Sequence, residues 1–134
     1  MPDIAGCRIV VQLPSDQDAL VAALAARHQA WRVYDLRKES RFGYRAVHLV
    51  TQPPRPVELQ VRTFVQQIWA DTSERLDRLH EGIKYGTGPA ALLKQLQRWS
   101  DRLAEFERSG DLTPSLILNR DAVVPIVVVM LQER

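Results

Sequence analysis

The sequence predicts an α/β (α+β) domain, with a mixed, largely antiparallel sheet of about four or five strands and packed helices on one face. Three observations carry this. The segment Val57-Glu58-Leu59-Gln60-Val61-Arg62-Thr63 alternates apolar and functional side chains, the period of a strand buried on one face. The run Gln52-Pro53-Pro54-Arg55-Pro56 before it reads as a turn, because proline neither continues a helix nor donates to a central ladder. From Thr63 the period becomes helical, with Phe64, Ile68, Thr72, Leu76 and Leu79 on one stripe.

The remaining elements follow in chain order. Ile4 to Leu13 is apolar and rich in β-branched residues, so it reads as a buried strand. Pro14 and Ser15 stop it. Ser15 can cap a helix reaching Arg27, with Asp16 and Asp18 near its positive end and Leu20, Val21 and Leu24 as its apolar stripe. Ala30 to Leu36 reads as the second strand, and Tyr44 to Thr51 as the third, after a charged loop containing Gly43. Strands three and four should form an antiparallel hairpin across the proline-rich turn. Thr63 can cap the next helix, which ends near Gly82. Pro89 suits the start of the last helix, with Leu92, Leu96, Trp99, Leu103 and Phe106 facing a core. The tail from Leu112 is ambiguous between helix and strand. The expected division is a domain over 1–110 and a tail, 111–134, of unassigned structure.

Composition narrows the functional classes. Lysine and arginine total 18 against 16 acidic residues, too small an excess to argue for duplex DNA. The charge is unevenly spread, however. Arg27, Arg32, Arg37, Lys38, Arg41 and Arg45 crowd one stretch, a local field suited to an anion or simply a solvated surface. Cys7, the single cysteine, sits among apolar residues, which predicts a buried, inert thiol. No secretory pattern is present, and the apolar run Ala122 to Leu131 is too short to span a bilayer. These features predict a cytoplasmic protein with no membrane partner, and leave homo-oligomerisation open.

The alternating strand also carries chemistry. Glu58, Gln60 and Arg62 share one face, and a carboxylate beside a guanidinium suits a metal ion and phosphate oxygens. An isolated strand of this kind could equally be a solvated edge. Two further pieces weigh against that. Asp3-Ile-Ala-Gly-Cys-Arg8 opens the first strand, and Gly43-Tyr-Arg-Ala-Val-His-Leu-Val50 opens the third. Trp69-Ala70 follows the fourth on its helix. Trp69 itself reads as helix core.

In this order and spacing, the pieces resemble the synthetase domain of the RelA/SpoT family of (p)ppGpp synthetases, from Asp3 to about Tyr85. Ile83-Lys-Tyr-Gly86 is similar to the short, single-domain members. The resemblance implies a nucleotidyltransferase-like synthetase fold. It also implies pyrophosphoryl transfer from ATP to the 3′-hydroxyl of GDP or GTP, with Mg²⁺ as cofactor. By position it makes Asp3 and Glu58 the catalytic and metal-binding carboxylates, and Tyr44 the residue that stacks on guanine. His48 and Arg62 would face the phosphates and ribose, Gln60 would share their face, and Arg8 would contact phosphate. Many members carry a lysine and an asparagine before the Gly-Tyr pair; Ser40-Arg-Phe42 stands here, so Arg41 or Lys38 would supply the charge. Ser73-Glu74 stands where many members have Glu-His. Family synthetases carry helices upstream of the metal aspartate that grip ATP, and the expectation is a domain lacking them. Two alternatives stay open, a transferase of the same fold acting on the 3′ end of tRNA and a non-enzymatic guanine-nucleotide-binding remnant. No adjacent His-Asp pair of the hydrolase type occurs.

Overall fold

The computed structural model describes residues 5–40, 42–83 and 86–109. Asp3, Arg41, Lys84, Tyr85 and the tail 111–134 lie outside them. The element order is β1 (Ala5–Val11), α1 (Pro14–Arg27), β2 (Arg32–Asp35), β3 (Val47–Val50), β4 (Val57–Thr63), α2 (Phe64–Leu79) and α3 (Ala90–Ser109). The four strands lie in the order β1-β4-β3-β2. β1 runs parallel to β4, while β4 with β3 and β3 with β2 are antiparallel. The sheet is thus mixed and largely antiparallel, and the hairpin across the proline turn forms as expected.

Register sorts the side chains. Leu59 pairs with Leu49 and Val61 with Val47 on one face. These four form a core cluster packed by Leu20, Val21 and Leu24 of α1 together with Trp31. The opposite face carries Glu58, Gln60 and Arg62 of β4, with His48 beside Gln60 from β3 and Arg8 beside Gln60 from β1. A second cluster, Ile68, Trp69, Leu76, Ile83, Leu92 and Leu96, joins α2 to α3. Trp69 is core, as expected; its indole Nε1 donates to the Leu96 carbonyl at 2.9 Å.

A buried amide pair locks the layers together. Gln17 of α1, fully buried, donates through Nε2 to the Val61 carbonyl at 2.9 Å and to Gln66 Oε1 at 2.8 Å. Gln66 in turn closes the start of α2. Its backbone N–H donates to Thr63 Oγ1 at 3.1 Å, and its side-chain oxygen accepts from the Thr63 N–H at 3.0 Å. This reciprocal cap confirms Thr63 as the N-cap and sets the direction in which α2 leaves β4.

Several boundaries differ from the sequence reading. β1 was expected to be buried, yet it is an edge strand, with Ile9 and Val10 exposed. Periodicity reports apolarity and not sheet position, and among the described strands β1 pairs on one side alone, with β4. Cys7 is exposed for the same reason, and the buried-thiol expectation fails. The cap of α1 is Leu13 and not Ser15: Pro14 takes the first helical position, and Asp16 accepts the Leu13 N–H at 3.1 Å. β3 begins at Val47, so Tyr44 precedes the strand. No helix of the described residues is long and apolar enough to cross a membrane.

A shallow cleft, with room for about one water, is lined by Gly43, Arg45, Trp69, Ser100 and Glu107 among others. Glu107 is buried there, and among the described residues its Oε2 has no hydrogen-bond partner. Burial pushes its carboxyl up to about 7, against a hydrogen bond from Thr63 and the charges of Arg37 and Arg45. A raised carboxyl pKa means that the folded chain holds the proton more tightly than the unfolded chain. Its stabilising contribution is therefore complete below about pH 4.5 and is lost as pH rises through about 7. Glu107→Gln should flatten this slope and exceed the parent in stability at pH 8 by about 2–3 kcal/mol. Urea unfolding of both proteins at pH 5 and pH 8 checks it; parallel pH dependences would refute the burial of an ionisable group here.

Candidate nucleotide site

The site grows from the polar face of β4. Glu58, Gln60 and Arg62 stand two residues apart, so the pleat alone aims them the same way. Their side chains link along the strand: Gln60 Nε2 donates to Glu58 Oε1 at 2.8 Å, and Arg62 Nη2 donates to Gln60 Oε1 at 3.0 Å. Arg8 reaches in from β1, with Nε 3.4 Å from Gln60 Oε1.

Tyr44 and His48 close the opposite side. The Tyr44 hydroxyl lies 2.7 Å from His48 Nε2 and accepts from Arg62 Nη2 at 2.8 Å. Because arginine only donates, the tyrosine proton is free to point at His48. The network therefore assigns Nε2 as acceptor and places the imidazole proton on Nδ1, facing Glu58 Oε2 at 3.7 Å. Burial, opposed by the Glu58 carboxylate and aided by Arg62, holds the His48 pKa below its usual value. A neutral imidazole is what this tautomer requires. The Arg62 guanidinium also stacks over the Tyr44 ring, 5.0 Å from its centroid, and the half-buried ring packs against the α2–α3 cluster.

Arg62 is the unusual member. It is only 6% exposed, yet the hydrogen-bond acceptors it contacts, Gln60, Gln67 and Tyr44, are all neutral. Among the described residues its Nε has no hydrogen-bond partner. A buried cation without a direct counter-ion is costly, and the cost is offset when an anion binds beside it.

The structure brings together Glu58, Gln60, Arg62, Tyr44, His48 and Arg8, six of the residues expected from sequence. Asp3 and Arg41 lie outside the described residues. Lys38 is exposed and makes no described hydrogen bond or ion pair to the site. The basic field expected over 27–45 is partly spent internally. Arg37 pairs with Asp18 at 2.5 Å and Asp35 at 2.7 Å, and Arg45 pairs with Asp101 at 2.6 Å. The acidic partners Asp18 and Asp101 come from distant segments, so the sequence stretch alone overstated the free charge.

Sequence reasoning missed Gln67. Its Oε1 accepts from Arg62 Nη1 at 3.1 Å, and its Nε2 donates to Asp71 at 2.8 Å. The signal was present: with Thr63 as N-cap, the fourth helical residue faces back toward the strand end. A carboxylate relayed through an amide tempers the Arg62 charge without cancelling it.

Among the described residues no group of three or more His, Cys, Asp or Glu is placed to hold a metal. Mg²⁺ does not need one. It takes one or two carboxylates and fills its remaining positions with water and substrate phosphate, and the half-buried Glu58 carboxylate fits that role.

The fold is that of synthetase-type proteins. The structure matches small alarmone synthetase 1 of Bacillus subtilis bound to its product pppGpp, with TM-score 0.60 and 28% identity over 78% of this chain and 58% of that one. The same enzyme bound to AMPCPP matches with TM-score 0.51 and 25% identity, over 78% of this chain and 54% of that one. A family model described as a region found in RelA / SpoT proteins matches residues 1–77. The chain therefore belongs to the RelA/SpoT family. Its relatives include GTP pyrophosphokinase YjbM of Bacillus subtilis, 33% identical over 80% of this chain and 54% of that protein. An uncharacterised protein of Mycobacterium tuberculosis is 38% identical over 67% of this chain and 35% of that protein. The chain thus spans about a third to a half of the length of these curated relatives.

Proposed function

We propose that this domain carries out (p)ppGpp synthesis, moving the pyrophosphoryl group of ATP to the 3′-oxygen of GDP or GTP. The observation that supports this most is the buried Arg62 guanidinium, which among the described residues bonds to neutral groups, stacks on the Tyr44 ring and is linked through Gln60 to the Glu58 carboxylate. A guanine nucleotide suits all three: the ring takes the base, the guanidinium takes phosphate, and the carboxylate takes the hydroxyl proton.

In the reaction the 3′-oxygen attacks the β-phosphorus of ATP, the α–β anhydride bond breaks, and AMP leaves. Glu58 accepts the proton of the attacking hydroxyl. Gln60 fixes one carboxylate oxygen, and the His48 Nδ1–H lies toward the other, so Glu58 is aimed before substrate arrives. Tyr44 stacks on guanine. Arg62 and Arg8 stabilise charge on the phosphate oxygens. Glu58 and Asp3 would hold Mg²⁺, which when bound neutralises charge on the donor phosphates. The reaction belongs to the cytoplasm, where both nucleotides are abundant.

Incubation with ATP labelled on its β-phosphate and with GDP, GTP or tRNA tests the reading. Label appearing in a guanosine tetra- or pentaphosphate supports it; label in tRNA alone, or no transfer with GDP still bound, overturns it. Tyr44→Ala should weaken GDP binding about tenfold or more, since base–aromatic stacking contributes roughly 1–3 kcal/mol. Tyr44→Phe keeps the stacking ring and should cost far less. Calorimetric titrations that give equal affinities for the parent and Tyr44→Ala would remove Tyr44 from the site.

A further inference from the structure

Tyr44 sits between two residues that α3 grips. On its N-terminal side is Gly43, with φ +94, a conformation that glycine adopts without strain. A Cβ there would lie 2.6 Å from Trp69 Cζ2, so the backbone is pressed against the indole. The Gly43 carbonyl accepts a hydrogen bond from Ser100 Oγ of α3. On its C-terminal side is Arg45, whose side chain turns away from the site. Its Nε donates to Ser100 Oγ at 3.1 Å, and its Nη2 pairs with Asp101 at 2.6 Å. Its Nη1 donates to the Arg37 carbonyl. Arg37 is itself tied to Asp35 and Asp18. Ala46 beyond it is fully buried, and its carbonyl accepts from the Leu36 N–H at 2.9 Å.

We propose that Arg45, clamped by Ser100 and Asp101 of α3, is a positioning residue that sets affinity for the guanosine nucleotide by holding Tyr44 in its stacking position. The proposal rests on the reading of Tyr44 as the base-stacking residue. Arg45 touches no nucleotide. It acts because its neighbours in the chain cannot shift while its guanidinium is held at three points, and a planar fork held this way resists rotation better than a single bond does. Tyr44 precedes β3 and lies outside its continuous ladder, so its position depends on these flanking contacts together with its packing on the α2–α3 cluster. α3 lies wholly beyond residues 1–77, where the family match falls. The α3 half of the clamp therefore lies outside the matched region, while Arg45 lies inside it.

Arg45→Gln removes the fork, and Asp101→Asn, on the exposed side of α3, weakens it with little risk to folding. Each should raise KM for GDP or GTP by about threefold to thirtyfold and leave KM for ATP within about twofold. In a Tyr44→Ala background the same changes should add nothing, because the residue they act through is gone. A merely structural Arg45 would instead raise both KM values, or act equally in both backgrounds, and either result overturns the proposal. A second readout needs no nucleotide. In the free protein, Arg45→Gln should shift the His48 imidazole resonances, because Tyr44 leaves Nε2. An unchanged imidazole spectrum refutes the clamp, even if the parent binds no guanosine nucleotide and the stacking role of Tyr44 fails separately.

Discussion

Glu58→Gln should lower the rate of pyrophosphoryl transfer by about 10²–10⁴-fold, the usual contribution of a positioned general base. The substitution keeps the shape of the side chain. Its remaining carbonyl oxygen can still accept from Gln60 Nε2, now 2.8 Å from Glu58 Oε1, so the strand face stays assembled. What disappears is the proton acceptor and one hard oxygen charge for Mg²⁺. These two losses differ in kinetics. Loss of the base lowers kcat at every metal concentration. Loss of metal affinity alone is recovered by raising Mg²⁺. Rates over a range of Mg²⁺ concentrations, with circular dichroism to monitor the fold, separate them. If the parent is active and Glu58→Gln retains more than about a tenth of its kcat at saturating Mg²⁺, Glu58 is not the base.

The legibility of this chain was uneven for physical reasons. β4 could be read from sequence almost to the residue, because one face packs on α1 and the other is polar, and a strand with such unequal faces must alternate. Tyr44 and His48 were assigned to one site by the family resemblance, and they do meet, although the strand expected to carry both starts only at Val47. β1 misled because an apolar run looks alike at the centre and at the edge of a sheet. Only the pairing order, which depends on the crossover through α1, makes it an edge. The roles of Arg37 and Arg45 were hidden for a related reason. Their carboxylate partners include residues on α1 and α3, and no local window contains both members of such a pair. Asp3 illustrates a different limit, since its assignment rests on the family motif alone.

Arg62→Met should abolish tight nucleotide binding while leaving the fold about as stable as before. Methionine fills a similar elongated volume and carries no charge. The binding loss should reach about 30-fold or more, since truncating a buried charged hydrogen-bonding partner costs roughly 2–5 kcal/mol. The stability side is a contest between two terms. Removing a buried guanidinium that has no direct counter-ion relieves a desolvation penalty. Against this, Gln67 Oε1 loses the donor it has at 3.1 Å, and an unsatisfied buried acceptor costs about 1–3 kcal/mol. The other two acceptors are less exposed to loss. The Tyr44 hydroxyl, half-buried, still donates to His48 at 2.7 Å, and Gln60 keeps Arg8 at 3.4 Å. With the two terms of similar size, the net change in unfolding free energy should stay within about 1 kcal/mol. Chemical denaturation in the absence of nucleotide measures it, and titration with GDP and with ATP measures the binding. A loss of several kcal/mol would mean that Arg62 is a structural pin whose cost is met within the fold. The argument that its charge awaits a phosphate would then fall, whatever the binding result.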